Sequence, residues 1–150
     1  MLCLALLHLP AEAAWLRAET ENVILMGNVD EPVLRAFGRK IERFHALLEG
    51  YFGKPPSTVK APKLPVYLVR NETEFRKAMP GVRRNVAGKY VARADGIVAI
   101  AWVGRQGRGH LNYVLFHEYA HHFMFQRSNG AYPAWFIEGF AEYFSPSSVG

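Results

Sequence analysis

The longest regular pattern of apolar positions lies between Glu31 and Tyr51, where Leu34, Phe37, Ile41, Phe44, Leu47 and Leu48 recur at steps of three and four. That spacing is the stripe of an amphipathic helix, and Gly50 and Gly53 mark its expected end. Asn22–Gly27 (NVILMG) and Leu64–Val69 (LPVYLV) are short apolar, β-branched runs that predict buried strands on either side of it. Between them, Lys54–Lys63 carries Pro55, Pro56 and Pro62, so it reads as an extended connector. Asn71, followed three residues later by Glu74, forms a capping box that opens a short helix ending before Pro80. Gly88–Arg93 and Gly96–Val103 are β-favouring runs joined through Ala94-Asp95, the pattern of a tight hairpin. A basic glycine-rich loop, Gly104–Gly109 (GRQGRG), then leads to helical stretches from about Leu111 to Arg127 and from about Ala134 to Phe144. The order predicts one α+β domain with a mixed sheet of about four strands.

Composition narrows the function classes. The 150 residues are 50% hydrophobic and 21% charged, enough for one substantial core and too little charge for a disordered chain. The single cysteine excludes an intrachain disulfide and a cysteine-based zinc site, so any metal must be held by histidine and carboxylate. The formal charge of +5 is scattered, with no basic run and no interleaved aromatics, so no nucleic-acid partner is expected. Met1–Leu9 is apolar apart from His8, and Ala11-Glu12-Ala13 follows as a small-residue cleavage pattern. Residues 1–14 therefore read as a signal peptide, which implies an exported, periplasmic or secreted, mature chain from residue 15. No membrane span is expected, since the apolar run stops at Pro10 and crossing takes about 20 residues.

The chemistry concentrates in His117-Glu118-Tyr119-Ala120-His121, an H-E-x-x-H pattern inside a predicted helix. With six histidines in the chain, chance supplies about 0.02 such motifs. Residues four apart on a helix lie one above the other, so both imidazoles can converge on one ion. Zinc accepts such a pair and leaves room for a carboxylate and a water, while Glu118, about 100° round the helix, is placed as general base. Tyr113, Leu115, Phe116, Tyr119, Ala120, Phe123 and Met124 form the expected packed side. On the following helix (WFIEGFAEY), Glu138 and Glu142 again stand four apart, opposite Phe136, Ile137, Phe140, Ala141 and Phe144. Gly130 and Pro133 supply a reversal, so this helix can double back and offer Glu138 as third ligand. Glu142, one turn on, is placed to accept the free ring N–H of a ligating histidine.

These two motifs resemble the gluzincin zinc metallopeptidases, in which H-E-x-x-H is followed on a second helix by a glutamate ligand. Glu138-Gly139-Phe140-Ala141 is similar to the E-G-x-A segment of M1 aminopeptidases and of peptidase-MA-like bacterial exported proteins, and Glu142 matches an acidic position of the thermolysin branch. The resemblance implies a zincin-like fold, Zn²⁺ on His117, His121 and Glu138, Glu118 as base, and a peptide or protein substrate. No G-x-M-E-N segment precedes the helix, so aminopeptidase specificity is not implied. The oxyanion-stabilising group in these families usually comes from downstream of the second helix, which leaves residues beyond Gly150 or a local tyrosine, Tyr132 or Tyr143. The alternative reading is a zinc-stabilised binding module that keeps the metal without catalysis.

Other conspicuous residues have plainer readings. His8, His45, His110 and His122 are expected to be solvent-facing or hydrogen-bonded, with His110 near the cleft entrance. Phe123, Phe125, Trp135, Phe136, Phe140 and Phe144 read as core, Trp135 alone being placed to wall a pocket. Arg83-Arg84, Arg105 and Arg108 read as solvated surface. Gly96–Val103 would hold a peptide if it were an edge strand, but its continuous apolar character favours the interior.

Overall fold

The computed structural model describes residues 14–54, 62–83, 85–93, 96–104, 107–127 and 132–147. The leader (all but Ala14), the Ala94-Asp95 turn, Gly130, and Arg84 and Arg105 lie outside the described residues, as do the side chains of Arg108 and His110.

The chain forms β1 (Leu16–Glu19), β2 (Val23–Gly27), α1 (Glu31–Phe52), β3 (Leu64–Val69), α2 (Glu72–Ala78), β4 (Gly88–Arg93), β5 (Gly96–Trp102), α3 (Gly107–Arg127) and α4 (Ala134–Phe144). The strands make one mixed sheet in the order β1-β2-β3-β5-β4. The central pairs β2–β3 and β3–β5 are parallel, with Leu25 opposite Val66 and Leu68 opposite Ala101. The outer pairs β1–β2 and β4–β5 are antiparallel. Among the described residues, no helix is long and apolar enough to cross a membrane.

The sheet has five strands where about four were expected. The additional one, β1, alternates half-buried Leu16 and Ala18 with exposed Arg17 and Glu19. Its turn into β2 is held from a distance: the Glu42 carboxylate on α1 accepts bonds from the Thr20 hydroxyl, the Asn22 backbone N–H at 2.9 Å and the Asn22 side-chain amide at 2.6 Å. Burial opposes ionisation of Glu42, but these donors outweigh it and keep its pKa below the usual carboxylate value.

On one face of the sheet, α1 and α3 enclose the main core. Leu34, Phe37, Ile41, Phe44 and Leu48 of α1 meet Val23, Leu25, Val66 and Leu68 of the sheet in one cluster, as the helical stripe requires. Gly50 does not end α1; Gly53 does, at φ 72°, with its N–H donating to the Glu49 carbonyl. On the other face the short α2 is capped as expected by the Asn71 side chain, which accepts from the Glu74 N–H at 3.0 Å. Phe75 of α2 packs there with Val69 and Ile100.

The expected loop Gly104–Gly109 is shorter than its composition suggests, because α3 begins at Gly107. Three glycines and two arginines in six residues conceal a helix start: glycine is a poor helix former, and nothing local there is amphipathic. β5 is interior, between β3 and β4, with Ala99, Ile100 and Ala101 buried, and the sheet edges are β1 and β4.

Candidate metal centre

The site is built where α3 crosses the β4 end of the sheet and α4 folds back over α3. Packing against α1 orients α3: Phe44 stacks on Phe116 with ring centroids 4.3 Å apart, and the Tyr119 hydroxyl shares a 2.8 Å hydrogen bond with Nδ1 of His45. With Leu115, Phe116, Tyr119, Ala120 and Phe123 buried, the helix period turns His117 and His121 to the other side. On α4, Phe140, Ala141 and Phe144 are buried. The Phe140 ring lies parallel to that of Phe123, and Phe52 at the end of α1 sits 5.4 Å from Phe140 and 5.6 Å from Phe144. These contacts seat α4 with Glu138 and Glu142 on the histidine side of α3.

Three potential ligand atoms converge there. Nε2 of His117 and Nε2 of His121 are 3.1 Å apart, and the Glu138 carboxylate stands 3.6 Å from the first and 3.8 Å from the second. One ligand atom from each residue falls within 4.8 Å of the others, and this is the one such group of His, Cys, Asp or Glu among the described residues. Two neutral imidazoles and a carboxylate are a donor set suited to Zn²⁺ with an open position. Burial lowers the pKa of His121, helped by the neighbouring His117 and opposed by Glu138, so that its ring favours the neutral form a metal ligand needs.

Glu118 is buried beside this group rather than in it. Its carboxylate accepts the backbone N–H of Tyr90 on the edge strand β4. Gly88 permits that approach, since a Cβ there would lie 2.3 Å from Cγ1 of Val114 on α3. Burial pushes the Glu118 pKa up to about 7; the Glu138 charge adds to the rise, while the Tyr90 N–H and Lys89 oppose it. A carboxyl titrating near neutrality both accepts and returns a proton readily. Glu142 lies with Oε1 3.7 Å from Nδ1 of His117, outside hydrogen-bond reach, and accepts a bond from the Tyr113 hydroxyl.

A cleft of about 1000 Å³ opens over the group, lined among others by Tyr90, His117, Glu118, His121, Ile137 and Glu138. Several sequence expectations change here. Tyr113 is half-buried against the core, as expected of the packed arc, and its ring also lies 6.4 Å from that of His117, inclined by 26°. Ile137 lines the cleft next to Glu138 instead of opposing it, whereas Met124 is buried with the core as expected and also borders the cleft. Phe125, Trp135 and Phe136 are exposed, at 59%, 74% and 39%, so the aromatic group is core only at Phe123, Phe140 and Phe144. Phe136 shares its stripe with the buried Phe140 and Phe144, one and two turns on, so it is the first turn of α4, with Trp135, that stays exposed rather than a whole face. Trp135 does not line the cleft; Tyr132 does, and Tyr143 does not. Arg83, expected as plain surface, is exposed along the cleft.

Of the other histidines, His45 and His122 follow the plainer reading, while His8 and the His110 side chain lie outside the described residues. His122 is fully buried, with Nε2 2.6 Å from the Gln126 amide and Nδ1 3.4 Å from the Tyr90 hydroxyl, and burial takes its pKa down to about 4. His45 bonds Tyr119, as above. The Tyr90–Glu118 bond is the contact at the candidate site that sequence reasoning missed; a backbone donor leaves no mark in the residue letters. Compared with models of known protein families and with curated proteins, the chain matches none.

Proposed function

We propose that this is a zinc-dependent peptidase of zincin-like architecture, with Zn²⁺ held by His117, His121 and Glu138 and with Glu118 as general base. The observation that carries the reading is the convergence of those three side chains within 4.8 Å beside a buried carboxylate, at the wall of an open cleft. A bound zinc ion supplies Lewis acidity, polarising a carbonyl and lowering the pKa of water toward about 7. Glu118 takes the proton released on attack and returns it to the leaving amine. Its bond to the Tyr90 N–H keeps the carboxylate at the cleft side of α3. The β4 edge borders the cleft at Gly88, Lys89 and Tyr90, and its main-chain groups other than the Tyr90 N–H, which Glu118 takes, are offered to an extended peptide.

A second reading, a zinc-stabilised binding module without efficient catalysis, is favoured by one observation. The Tyr90 hydroxyl is directed to His122, and Tyr143 lies outside the cleft, so Tyr132 is the one tyrosine with its hydroxyl free to serve an oxyanion among the described cleft residues. Glu118→Gln separates the two. The peptidase reading expects one equivalent of zinc in both proteins and cleavage of an unstructured protein by the parent alone; cleavage retained by the variant refutes the role of Glu118. Stoichiometric zinc with no cleavage by the parent favours the binding module, and less than about half an equivalent of zinc removes both.

A further inference from the structure

The His117 ring presents Nε2 to His121 and Glu138, which leaves Nδ1 to be accounted for. That nitrogen is buried and has no hydrogen-bond partner among the described residues. An imidazole that ligates through Nε2 must carry its proton on Nδ1, and the acceptor of that proton sets both tautomer and ring orientation. The carboxylate facing it is Glu142, whose Oε1 stands 3.7 Å away, a few tenths of an ångström beyond a hydrogen bond. Glu142 is itself exposed, and a glutamate at a helix surface has many rotamers to choose from. One contact restrains it: the hydroxyl of Tyr113, one helical turn before His117, donates to the other oxygen, Oε2. The same bond raises the Tyr113 pKa above the ordinary phenol value, because deprotonation would set two negative oxygens against each other. The two rings, inclined by 26°, complete a column of Tyr113 beside His117 with Glu142 across both.

We propose that Tyr113 is a positioning residue of the metal centre: by holding Glu142 beside Nδ1 of His117, it fixes that imidazole in the tautomer that leaves Nε2 free for the metal. The inference rests on the zinc site proposed above and adds a residue that is neither one of its three ligands nor the base. Losing it loosens Glu142, and through Glu142 the ligand, without altering the ligand set.

Zinc affinity, measured by competition with a chromophoric chelator, tests this in the full chain for the parent, Tyr113→Phe, Glu142→Ala and the double variant. Glu142→Ala should weaken binding roughly 10- to 100-fold, as loss of an outer partner of a ligating histidine does, and Tyr113→Phe about 5-fold. In the Glu142→Ala background Tyr113→Phe should change nothing, since its effect passes through that carboxylate. In metal-free protein, Glu142→Ala should bring the phenol titration of Tyr113 down toward the ordinary range, and melting curves of the metal-free variants should match the parent. Unchanged affinity in Tyr113→Phe, or an equal loss with and without Glu142, overturns the role of Tyr113 alone. A parent protein that binds no zinc overturns the site and this inference with it.

Discussion

Replacing Glu118 by glutamine should make the metal-free protein more stable, even though the same change is expected to stop catalysis. The carboxyl is buried, and its pKa is raised from 4.5 to about 7. A group whose folded pKa exceeds its unfolded one retains a proton in the fold that the open chain releases, so ionisation works against folding. That penalty is absent well below pH 4.5, grows as pH rises, and levels off above about pH 7; the full difference corresponds to about 3 kcal/mol, of which under about 1 kcal/mol is felt at pH 5. Glutamine has no charge to desolvate, and its carbonyl oxygen can still accept the Tyr90 N–H. Its amide, left without a partner, costs about 1 kcal/mol. The net expectation at pH 8 is a gain of about 2 kcal/mol, or about 4–8 °C in Tm for a chain of this length.

The assay is urea and thermal unfolding of both proteins between pH 5 and 8 with a chelator present. The gain should be largest at pH 8 and vanish toward pH 5. A Glu118→Gln protein no more stable than the parent at pH 8, or a difference independent of pH, would refute the claim that burial raises this carboxyl. Added zinc should narrow the gap, because a nearby cation favours the ionised carboxylate.

Three other substitutions probe the frame. Glu138→Ala should weaken zinc binding by more than the roughly 10- to 100-fold typical of outer partners, while leaving metal-free stability within about 0.5 kcal/mol because the side chain is largely exposed; chelator competition and melting curves read the two effects. Gly88→Ala should cost about 1–3 kcal/mol, since its Cβ meets Val114 at 2.3 Å and β-branched Val114 has little freedom to turn aside; denaturant melts check it. Glu42→Ala should cost about 2 kcal/mol near neutrality through loss of its bonds to Thr20 and Asn22. Because the folded pKa of Glu42 is depressed, that contribution is present above about pH 4.5 and is lost as pH falls through the folded value, so parent and variant should converge in acid unfolding experiments.

What was legible in the chain follows the range over which each feature is determined. The stripe of α1, the cap of α2 and the i, i+4 pairs His117/His121 and Glu138/Glu142 are set by residues within a turn or two of each other, and each is an ordinary helical consequence of its spacing. β1 was not legible, since four residues reading LRAE become a strand only when Glu42, far along the chain, secures their turn. The exposure of Phe125, Trp135 and Phe136 was hidden for a related reason: periodicity assigns a residue to a helix face but does not say whether anything covers that face. The packing of Tyr113 was legible but its bond to Glu142 was not, because a phenol serves both as packing surface and as donor, and the donor role depends on where α4 lies. In the metal group, the letters specified which side chains on each helix share a face, whereas the meeting of the two faces depends on Phe52, Phe123, Phe140 and Phe144. The ligand geometry is therefore under the control of an aromatic contact on the far side of α4. Enlarging or emptying that contact should move Glu138 relative to both imidazoles with no change to any ligand.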